Sequence, residues 1–198
     1  MEARSENVTW HSGAVERARR ADATGGAGAT VWLTGLPASG KSTIAVALEA
    51  ALLDRKRAAY VLDGDNLRHG LNGNLGFSAE DRAENVRRTG EVARLFADAG
   101  VVALVSLVSP YEVDRARVRE LHEAQGLPFL EVFVDTPLEE CERRDPKGLF
   151  ARARAGELKG MTGIDDPYEA PRSPELHLKP LEQSVDESVA ALLARLGG

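Results

Sequence analysis

The sequence predicts an α/β fold in which a five-stranded parallel sheet carries helices on both faces. Candidate strands and helices alternate along the chain, which is typical of parallel sheets because each parallel strand needs a crossover connection. The segment 101–108 is apolar on both faces, as a central parallel strand requires. A glycine-rich loop at residues 35–42 separates the first strand from a helix. Right-handed crossovers place that first strand near the centre of the sheet.

The individual elements follow from residue patterns and punctuation by turn residues. We expect strands at residues 30–34, 58–62, 101–108, 128–134 and 176–178. We expect helices at residues 43–53, 79–99, 112–125, 138–144 and 184–196. Ser78 is a favourable N-cap for the second of these helices, because acidic residues follow it in the first turn. Residues 30–198 are expected to form one domain, and residues 1–29 a polar N-terminal arm.

The length, charge and cysteine content of the chain limit which classes of protein it can belong to. The chain has 198 residues, 43% hydrophobic and 28% charged, which suits one globular domain. A formal net charge of −6 disfavours a nucleic-acid binder. The single cysteine, Cys141, allows no internal disulfide and fits a reducing compartment. The longest apolar run is too short to span a membrane, and the N-terminus has no apolar signal core. We therefore expect a cytoplasmic protein without membrane or nucleic-acid partners.

The loop at residues 35–42 has the pattern G-x-x-x-x-G-K-S between a strand and a helix, which predicts phosphate binding. Its glycines allow backbone amides to turn towards phosphate oxygens beside the helix N-terminus. We expect Lys41 to reach the β- and γ-phosphates and Ser42 to bind Mg²⁺. The expected ATP-binding residues are Gly35, Leu36, Pro37, Ala38, Ser39, Gly40, Lys41, Ser42 and Thr43. The loop alone leaves open whether phosphate is transferred, hydrolysed or sensed.

Polar residues follow the second strand, where ligands of an open α/β sheet bind. Asp63 is expected to hold the metal's water shell or to accept a hydroxyl proton, whereas a simple turn-forming role is the alternative. Arg68, Arg82 and Asn85 would suit a second, anionic substrate, although exposed helix and loop charges are common on any surface.

The segment 143–160 concentrates positive charge in an acidic chain. Glycines at positions 148, 156 and 160 divide it, which fits a mobile lid that closes on phosphates. A solvated helical face is the alternative. Its six basic residues are Arg143, Arg144, Lys147, Arg152, Arg154 and Lys159.

Two other functions compete with phosphoryl transfer to an anionic acceptor. One is a different small-molecule kinase on the same fold, and Arg68, Phe77 and Arg82 argue against a neutral, non-aromatic acceptor. The other is a non-catalytic, nucleotide-dependent switch, which would not need the basic lid.

Several motifs resemble the adenylylsulfate kinase family. They are GLPASGKST at 35–43, DGDNLRHGL at 63–71, LGFS at 75–78, DRAENVRR at 81–88, DPKGLF at 145–150 and KGMTGIDDPYEAP at 159–171, with NVTWH at 7–11 resembling an N-terminal signature. The resemblance implies a P-loop kinase fold and transfer of the ATP γ-phosphate to the 3′-hydroxyl of adenosine 5′-phosphosulfate (APS). It also implies Mg²⁺, a homodimer and a role in sulfate assimilation.

The resemblance further implies roles for single residues. Lys41, Asp63 and Ser109 are implied as catalytic, and Ser42 and Asp63 as metal ligands. Ser109 matches a serine assigned as a phosphoserine intermediate in bacterial members, whereas loop, metal and lid support direct in-line transfer. The implied APS contacts are Asp65, Asn66, Arg68, Phe77, Arg82, Asn85, Val108, Ser109, Lys147, Gly160 and Met161. Met161 stands where the family usually has a phenylalanine that stacks on adenine. Glu112, where the family often has a basic or neutral residue, is expected to point away from the ligand.

Overall fold

A computed structural model of the protein describes residues 7–9, 11 and 13–197, so Trp10 of the N-terminal signature lies outside the described residues. Its sheet has five strands, all parallel, in the order β2-β3-β1-β4-β5. The strands are β1 (Ala29–Thr34), β2 (Ala59–Asp63), β3 (Val102–Ser106), β4 (Phe129–Val134) and β5 (Leu176–Leu178). The predicted sheet and the central position of the first strand are therefore confirmed.

The helices fill the connections and lie on both faces of the sheet. They are α1 (Arg17–Thr24), α2 (Lys41–Asp54), α3 (Gly64–Leu67), α4 (Ala79–Asp98), α5 (Glu112–Glu123), α6 (Leu138–Arg144), α7 (Leu149–Arg154) and α8 (Val185–Arg195). The Ser78 side chain accepts a hydrogen bond from the Asp81 N–H, as expected of the N-cap of α4. None of the helices in the described part of the chain is long and apolar enough to cross a membrane.

Helix α1 lies within the segment for which the sequence predicted only an arm. It buries none of its residues, so it has no apolar periodicity from which it could have been predicted. Arg17 and Arg20 instead pair with Asp98 at the end of α4, with N–O distances of 2.9 Å and 2.5 Å. Gly25 ends the helix in the left-handed conformation. Long-range ion pairs therefore hold the helix, and a single sequence does not reveal them.

The core consists of one apolar layer on each face of the sheet. Every residue of β1 is buried, as expected for a central parallel strand. Val31 and Leu33 face the layer that contains residues of α2 and α8, whereas Trp32 faces the layer formed with α4 and α5. The two layers fix the carboxyl end of β1, where the glycine-rich loop begins.

His122 of α5 is a fully buried polar group in the second layer. Its Nδ1 lies 2.8 Å from the Val118 carbonyl oxygen, so Nδ1 carries the proton. Its Nε2 lies 2.8 Å from the Thr30 hydroxyl, which donates to it at the start of β1. Burial lowers the pKa of His122 below its ordinary value, and the nearby Arg94 charge acts in the same direction. The neutral imidazole therefore joins α5 to β1.

The free energy of unfolding should fall as the pH drops below about 6.5, the ordinary pKa of histidine. Because burial lowers the pKa of folded His122, the unfolded chain takes up a proton that the folded chain does not bind. When the pH is lowered from about 7.5 to about 5.5, the free energy of unfolding measured in urea titrations should fall less for His122→Gln than for the parent. The exposed His69, changed to Gln, is the matched control and should keep the parental pH dependence. Equal losses in parent and His122→Gln would contradict this account.

Candidate active site

The glycine-rich loop connects β1 to α2 in the predicted strand–loop–helix arrangement. A Cβ on Gly35 would lie 2.5 Å from the Val134 carbonyl oxygen of β4, so only glycine fits beside the neighbouring strand. Gly40 has φ 107° and is the N-cap of α2, with no side chain that caps the helix. The first amides of α2 are therefore left for another acceptor, and a helix N-terminus of this kind favours an anion.

Lys41 is almost completely buried at the start of α2. Its ammonium group donates to the carbonyl oxygens of Gly35 and Leu36, at 3.0 Å and 2.7 Å. Burial lowers its pKa to about 8, although the Asp63 and Asp65 charges act in the opposite direction. Loop carbonyls thus hold the side chain beside the open end of α2, and the ammonium loses its proton at a lower pH than an exposed lysine does.

Oxygen atoms from three elements meet at the carboxyl ends of β2 and β3. The Ser42 hydroxyl donates to Asp63 Oδ2 at 2.7 Å and lies 3.0 Å from the Ser106 hydroxyl. The other oxygen of Asp63 accepts the Asp65 N–H at 2.9 Å, which fixes the carboxylate as the N-cap of α3. The described part of the chain contains no group of three or more His, Cys, Asp or Glu side chains that could hold a metal ion. A cation here would therefore depend on these oxygens and on phosphate.

Arginine and phenylalanine side chains form the opposite side of the cavity. The guanidinium of Arg68 lies 4.1 Å from the centre of the Phe77 ring, which is itself 64% exposed. Arg68 also donates to the Leu75 and Gly76 carbonyl oxygens, at 3.0 Å and 2.9 Å. This arrangement leaves an aromatic face open to a planar ligand, with a fixed positive charge beside it.

Arg82 connects α4 to the loop at residues 159–171. It donates to the Phe77 carbonyl oxygen at 2.9 Å and to the Thr162 hydroxyl at 2.6 Å. It also donates to the Gly160 carbonyl oxygen. Arg82 therefore connects the segment around Phe77 to the loop at residues 159–171, and it also contributes positive charge to the cavity.

Ser109 lies in the connection between β3 and α5 and is 3% exposed. Its hydroxyl accepts a hydrogen bond from the Trp32 indole N–H at 3.0 Å and lies 3.4 Å from the Leu107 carbonyl oxygen. The fully buried Arg115 donates to the Ser109 carbonyl oxygen at 2.7 Å and pairs with Glu131 at 2.6 Å. Among the residues that the structure describes, no carboxylate or imidazole contacts the Ser109 hydroxyl, so none of them can act as its base.

The basic segment divides into two groups. Arg144 lies 3.4 Å and 3.5 Å from the Ala38 and Ser39 carbonyl oxygens, and Lys147 pairs with Asp65 at the cavity. Three others are more than half exposed and pair with carboxylates, namely Arg143 with Glu140, Arg152 with Glu157 and Arg154 with Glu142, and Arg144 shares Glu140 with Arg143. Lys159 is exposed. Lys147 therefore lines the cavity and Arg144 contacts the loop, whereas closure of the segment stays a prediction.

One cavity of about 540 Å³ joins most of the expected site residues. The expected residues that line it are Pro37, Ala38, Ser39, Gly40, Lys41, Ser42, Thr43, Asp63, Asp65, Arg68, Phe77, Arg82, Asn85, Val108, Ser109, Lys147 and Met161. The expected residues outside its lining are Gly35, Leu36, Asn66 and Gly160. Asn66 is exposed on α3, whereas Gly160 contributes its carbonyl oxygen to Arg82.

The structure shows where Met161 and Glu112, the two residues that depart from the family pattern, lie relative to the cavity. Met161 is 6% exposed, lines the cavity and packs in a cluster with Cys141 and Phe150. Glu112 pairs with Arg172 at 3.2 Å and does not line the cavity, as expected.

Sequence reasoning missed three residues that shape the site. Ser106 interrupts the apolar segment 101–108, and a lone hydroxyl near the carboxyl end of a strand was a usable signal. Trp32 and Arg115 gave no such signal, because an indole in an apolar strand and an arginine in an amphipathic helix are both common.

Comparison with known proteins identifies the family. The family described as adenylylsulphate kinase matches residues 27–179. The chain belongs to the adenylylsulfate kinase family. The adenylyl-sulfate kinase of Saccharomyces cerevisiae is 56% identical over 181 residues, which cover 91% of this chain and 89% of that protein. The adenylyl-sulfate kinase of Lactiplantibacillus plantarum is 55% identical, over 96% of this chain and 91% of that protein.

A solved structure of the family agrees with this assignment. The Mycobacterium tuberculosis APS kinase CysC, in complex with AMPPNP and APS, is 54% identical and superposes with a TM-score of 0.84. The similarity covers 87% of this chain and 99% of that one. The sheet of this adenylylsulfate kinase family member is therefore that of a P-loop kinase.

The affinity for ATP should fall as the pH rises above about 8, the pKa to which burial lowers Lys41. A triphosphate favours the ammonium form, so deprotonation of Lys41 weakens binding by up to about tenfold per pH unit. Titration calorimetry with ATP between about pH 7 and pH 9.5 measures this effect. Lys41→Arg should bind ATP less tightly but without the step near pH 8, since arginine stays charged. Lys159→Arg, an exposed control, should keep the step. A parent whose affinity is flat across this range would contradict the prediction.

Proposed function

We propose that this protein transfers the γ-phosphoryl group of ATP to the 3′-hydroxyl of APS and thereby serves sulfate activation. The observation that carries the proposal is the single cavity, in which a phosphate loop faces an exposed Phe77 ring flanked by Arg68. A phosphate loop on one side and an aromatic, cationic surface on the other suit a nucleotide donor and an anionic nucleotide acceptor. The APS and AMPPNP bound to the Mycobacterium tuberculosis relative support the same pair of ligands.

The donor triphosphate would lie on the open N-terminus of α2. Its charge would draw the Lys41 ammonium away from the Gly35 and Leu36 carbonyl oxygens that now hold it. A second cavity of about 240 Å³ adjoins the loop on its far side and is bounded by Gly40, Thr43, Arg144 and Pro180. We place the nucleoside part of ATP there, because the cavity is continuous with the residues that would hold the phosphates.

The oxygen atoms around Ser42 fit magnesium. Mg²⁺ prefers oxygen ligands and is commonly bound by one carboxylate together with substrate phosphates and water. Ser42 Oγ and Asp63 Oδ2, 2.7 Å apart, provide a hydroxyl and a carboxylate of this kind. Bound there, the ion would neutralise charge that develops between the β- and γ-phosphates. Ser106, within hydrogen-bonding distance of Ser42, would hold the hydroxyl in place.

The acceptor would bind between α4 and the carboxyl end of β3. Its adenine would stack on the exposed face of Phe77, and Arg68 and Arg82 would face its phosphosulfate charge. Lys147 now pairs with Asp65 and would exchange this partner for a ligand oxygen when the segment closes. In the transfer step the 3′-oxygen forms a bond to the γ-phosphorus while the bond from that phosphorus to ADP breaks. The hydroxyl proton passes to Asp63.

We also propose a homodimer, on the basis of the family resemblance and of exposed apolar side chains at one edge. Tyr60 of the edge strand β2 is 54% exposed and stacks on Phe96 of α4, and Leu95 beside it is 56% exposed. Burial of these side chains against a second copy would remove apolar surface from water.

A coupled assay over a panel of acceptors tests the proposed activity. With Mg²⁺ and ATP present, ADP should form with APS and should not form with adenosine, AMP or gluconate. Asp63→Asn should lower kcat by at least about a hundredfold, since it removes both a proton acceptor and a metal ligand. ADP formation that does not depend on any acceptor would instead favour a nucleotide-hydrolysing switch. Turnover of gluconate would favour the other small-molecule kinase.

Ser109→Ala should retain kcat within about tenfold of the parent, because the direct transfer step does not use this hydroxyl. The same change should lower the free energy of unfolding by about 1–3 kcal/mol, since it leaves the buried Trp32 indole N–H without an acceptor. Steady-state kinetics and urea titrations measure the two effects. Trp32→Phe combined with Ser109→Ala should recover part of the lost stability. Complete loss of turnover in a folded Ser109→Ala protein would instead support a phosphoserine intermediate.

A further inference from the structure

A buried pair of amides lies behind the acceptor side of the cavity. Asn72 is fully buried in the loop between α3 and α4. Its backbone N–H donates to the Leu67 carbonyl oxygen at 2.9 Å, and its own carbonyl accepts the Leu75 N–H at 3.1 Å. Its side-chain nitrogen lies 2.9 Å from Asn85 Oδ1 and 3.5 Å from the Thr89 hydroxyl. None of the motifs described above gives Asn72 a role.

The hydrogen-bond partners determine which way these amides point. The Thr89 hydroxyl donates to the backbone carbonyl oxygen of Asn85 at 2.8 Å, so towards the Asn72 side chain it acts as an acceptor. The Asn72 amide nitrogen therefore faces Thr89 and Asn85. This arrangement leaves one buried acceptor, Asn72 Oδ1, without a partner among the described residues. Reversing both amides would instead leave the N–H donors of Asn72 without an acceptor in a buried position.

The orientation of Asn85 follows from that of Asn72. Asn85 lines the cavity and is 6% exposed. Because its oxygen accepts from Asn72, its amide nitrogen is the end left for a ligand. Within the described residues this nitrogen has no hydrogen-bond partner. It is also not fully enclosed by protein, so a ligand in the cavity can reach it. The cavity therefore presents an amide donor at this point.

We propose that Asn72 is a positioning residue for the acceptor. It fixes the Asn85 carboxamide so that the N–H donors, and not the oxygen, face an oxygen atom of the sulfonucleotide. This inference rests on the proposed function, because it concerns the acceptor that the function assigns to the cavity. An Asn85 amide free to rotate would also turn its oxygen towards an anionic, oxygen-rich ligand, and that contact is repulsive.

A double-mutant cycle between Asn72 and Asn85 tests the proposal. Asn72→Ala should raise the KM for APS by about tenfold while the KM for ATP stays within about twofold. In an Asn85→Ala background, the same change should raise the KM for APS by less than about twofold, because Asn72 acts through Asn85. Asn74→Ala is the matched control. Asn74 is exposed in the same loop, and its side chain contacts Arg88 at 2.8 Å, so this change should leave the KM for APS unaltered.

Two further variants keep the test decisive. Asn72→Asp replaces the donor by an acceptor, which should reverse the Asn85 amide and raise the KM for APS above that of Asn72→Ala. Thr89→Val should raise the KM for APS by about threefold even if changes at Asn72 prevent folding, because it removes the acceptor that orients Asn72.

Additive effects in the cycle, equal changes in the KM for ATP and for APS, or a Thr89→Val protein with parental kinetics would overturn the proposal. A parent protein that does not turn over APS would refute the proposed function itself. Turnover of APS together with additive effects would refute only the role of Asn72.

Discussion

The close approach of the glycine-rich loop to β4 is the constraint on which the site depends. Gly35 lies so near the Val134 carbonyl oxygen that any Cβ would collide with it. The loop can therefore turn directly from the buried end of β1 into α2, with Gly40 as an N-cap that contributes no side chain. The uncapped helix end, the buried Lys41 and the carboxyl ends of β2 and β3 are brought together by this turn. A site for phosphate follows from backbone geometry before any acceptor residue is considered.

The acceptor side depends on buried polar contacts instead of backbone geometry. Arg115 joins the Ser109 carbonyl oxygen, Glu131 of β4 and the Glu169 carbonyl oxygen, and each contact is 2.6–2.7 Å long. A buried cation with three such partners is costly to disturb, because removing any partner leaves charge or a polar group unpaired. Together with the bond between Trp32 and Ser109, it holds the end of β3 in one position. Ser109 is thus a structural part of this wall.

The sequence predicted the fold well, because the fold, like the phosphate loop, is indicated by local patterns. The alternation of strands and helices predicted the parallel sheet, and the spacing of Gly35, Gly40 and Lys41 predicted the phosphate loop. The acceptor residues came from resemblance, since an arginine such as Arg68 has no local pattern that separates it from a surface charge. Helix α1, Arg115 and the contact of Asn72 with Asn85 could not be predicted, because each depends on partners distant in sequence. The carboxylate partners of Arg143, Arg152 and Arg154 likewise become visible only in the structure, and the lid stays a prediction.

The central claim is that phosphate passes in one step from the loop to the acceptor, without a covalent intermediate on Ser109. The most direct test uses an ATP analogue whose γ-phosphorus is chiral because it carries one sulfur atom and two different isotopes of oxygen. The configuration at this phosphorus is then determined in the product. A single in-line displacement inverts the configuration, and inversion is the result that this account predicts. Retention of configuration would show two successive displacements and would contradict the account.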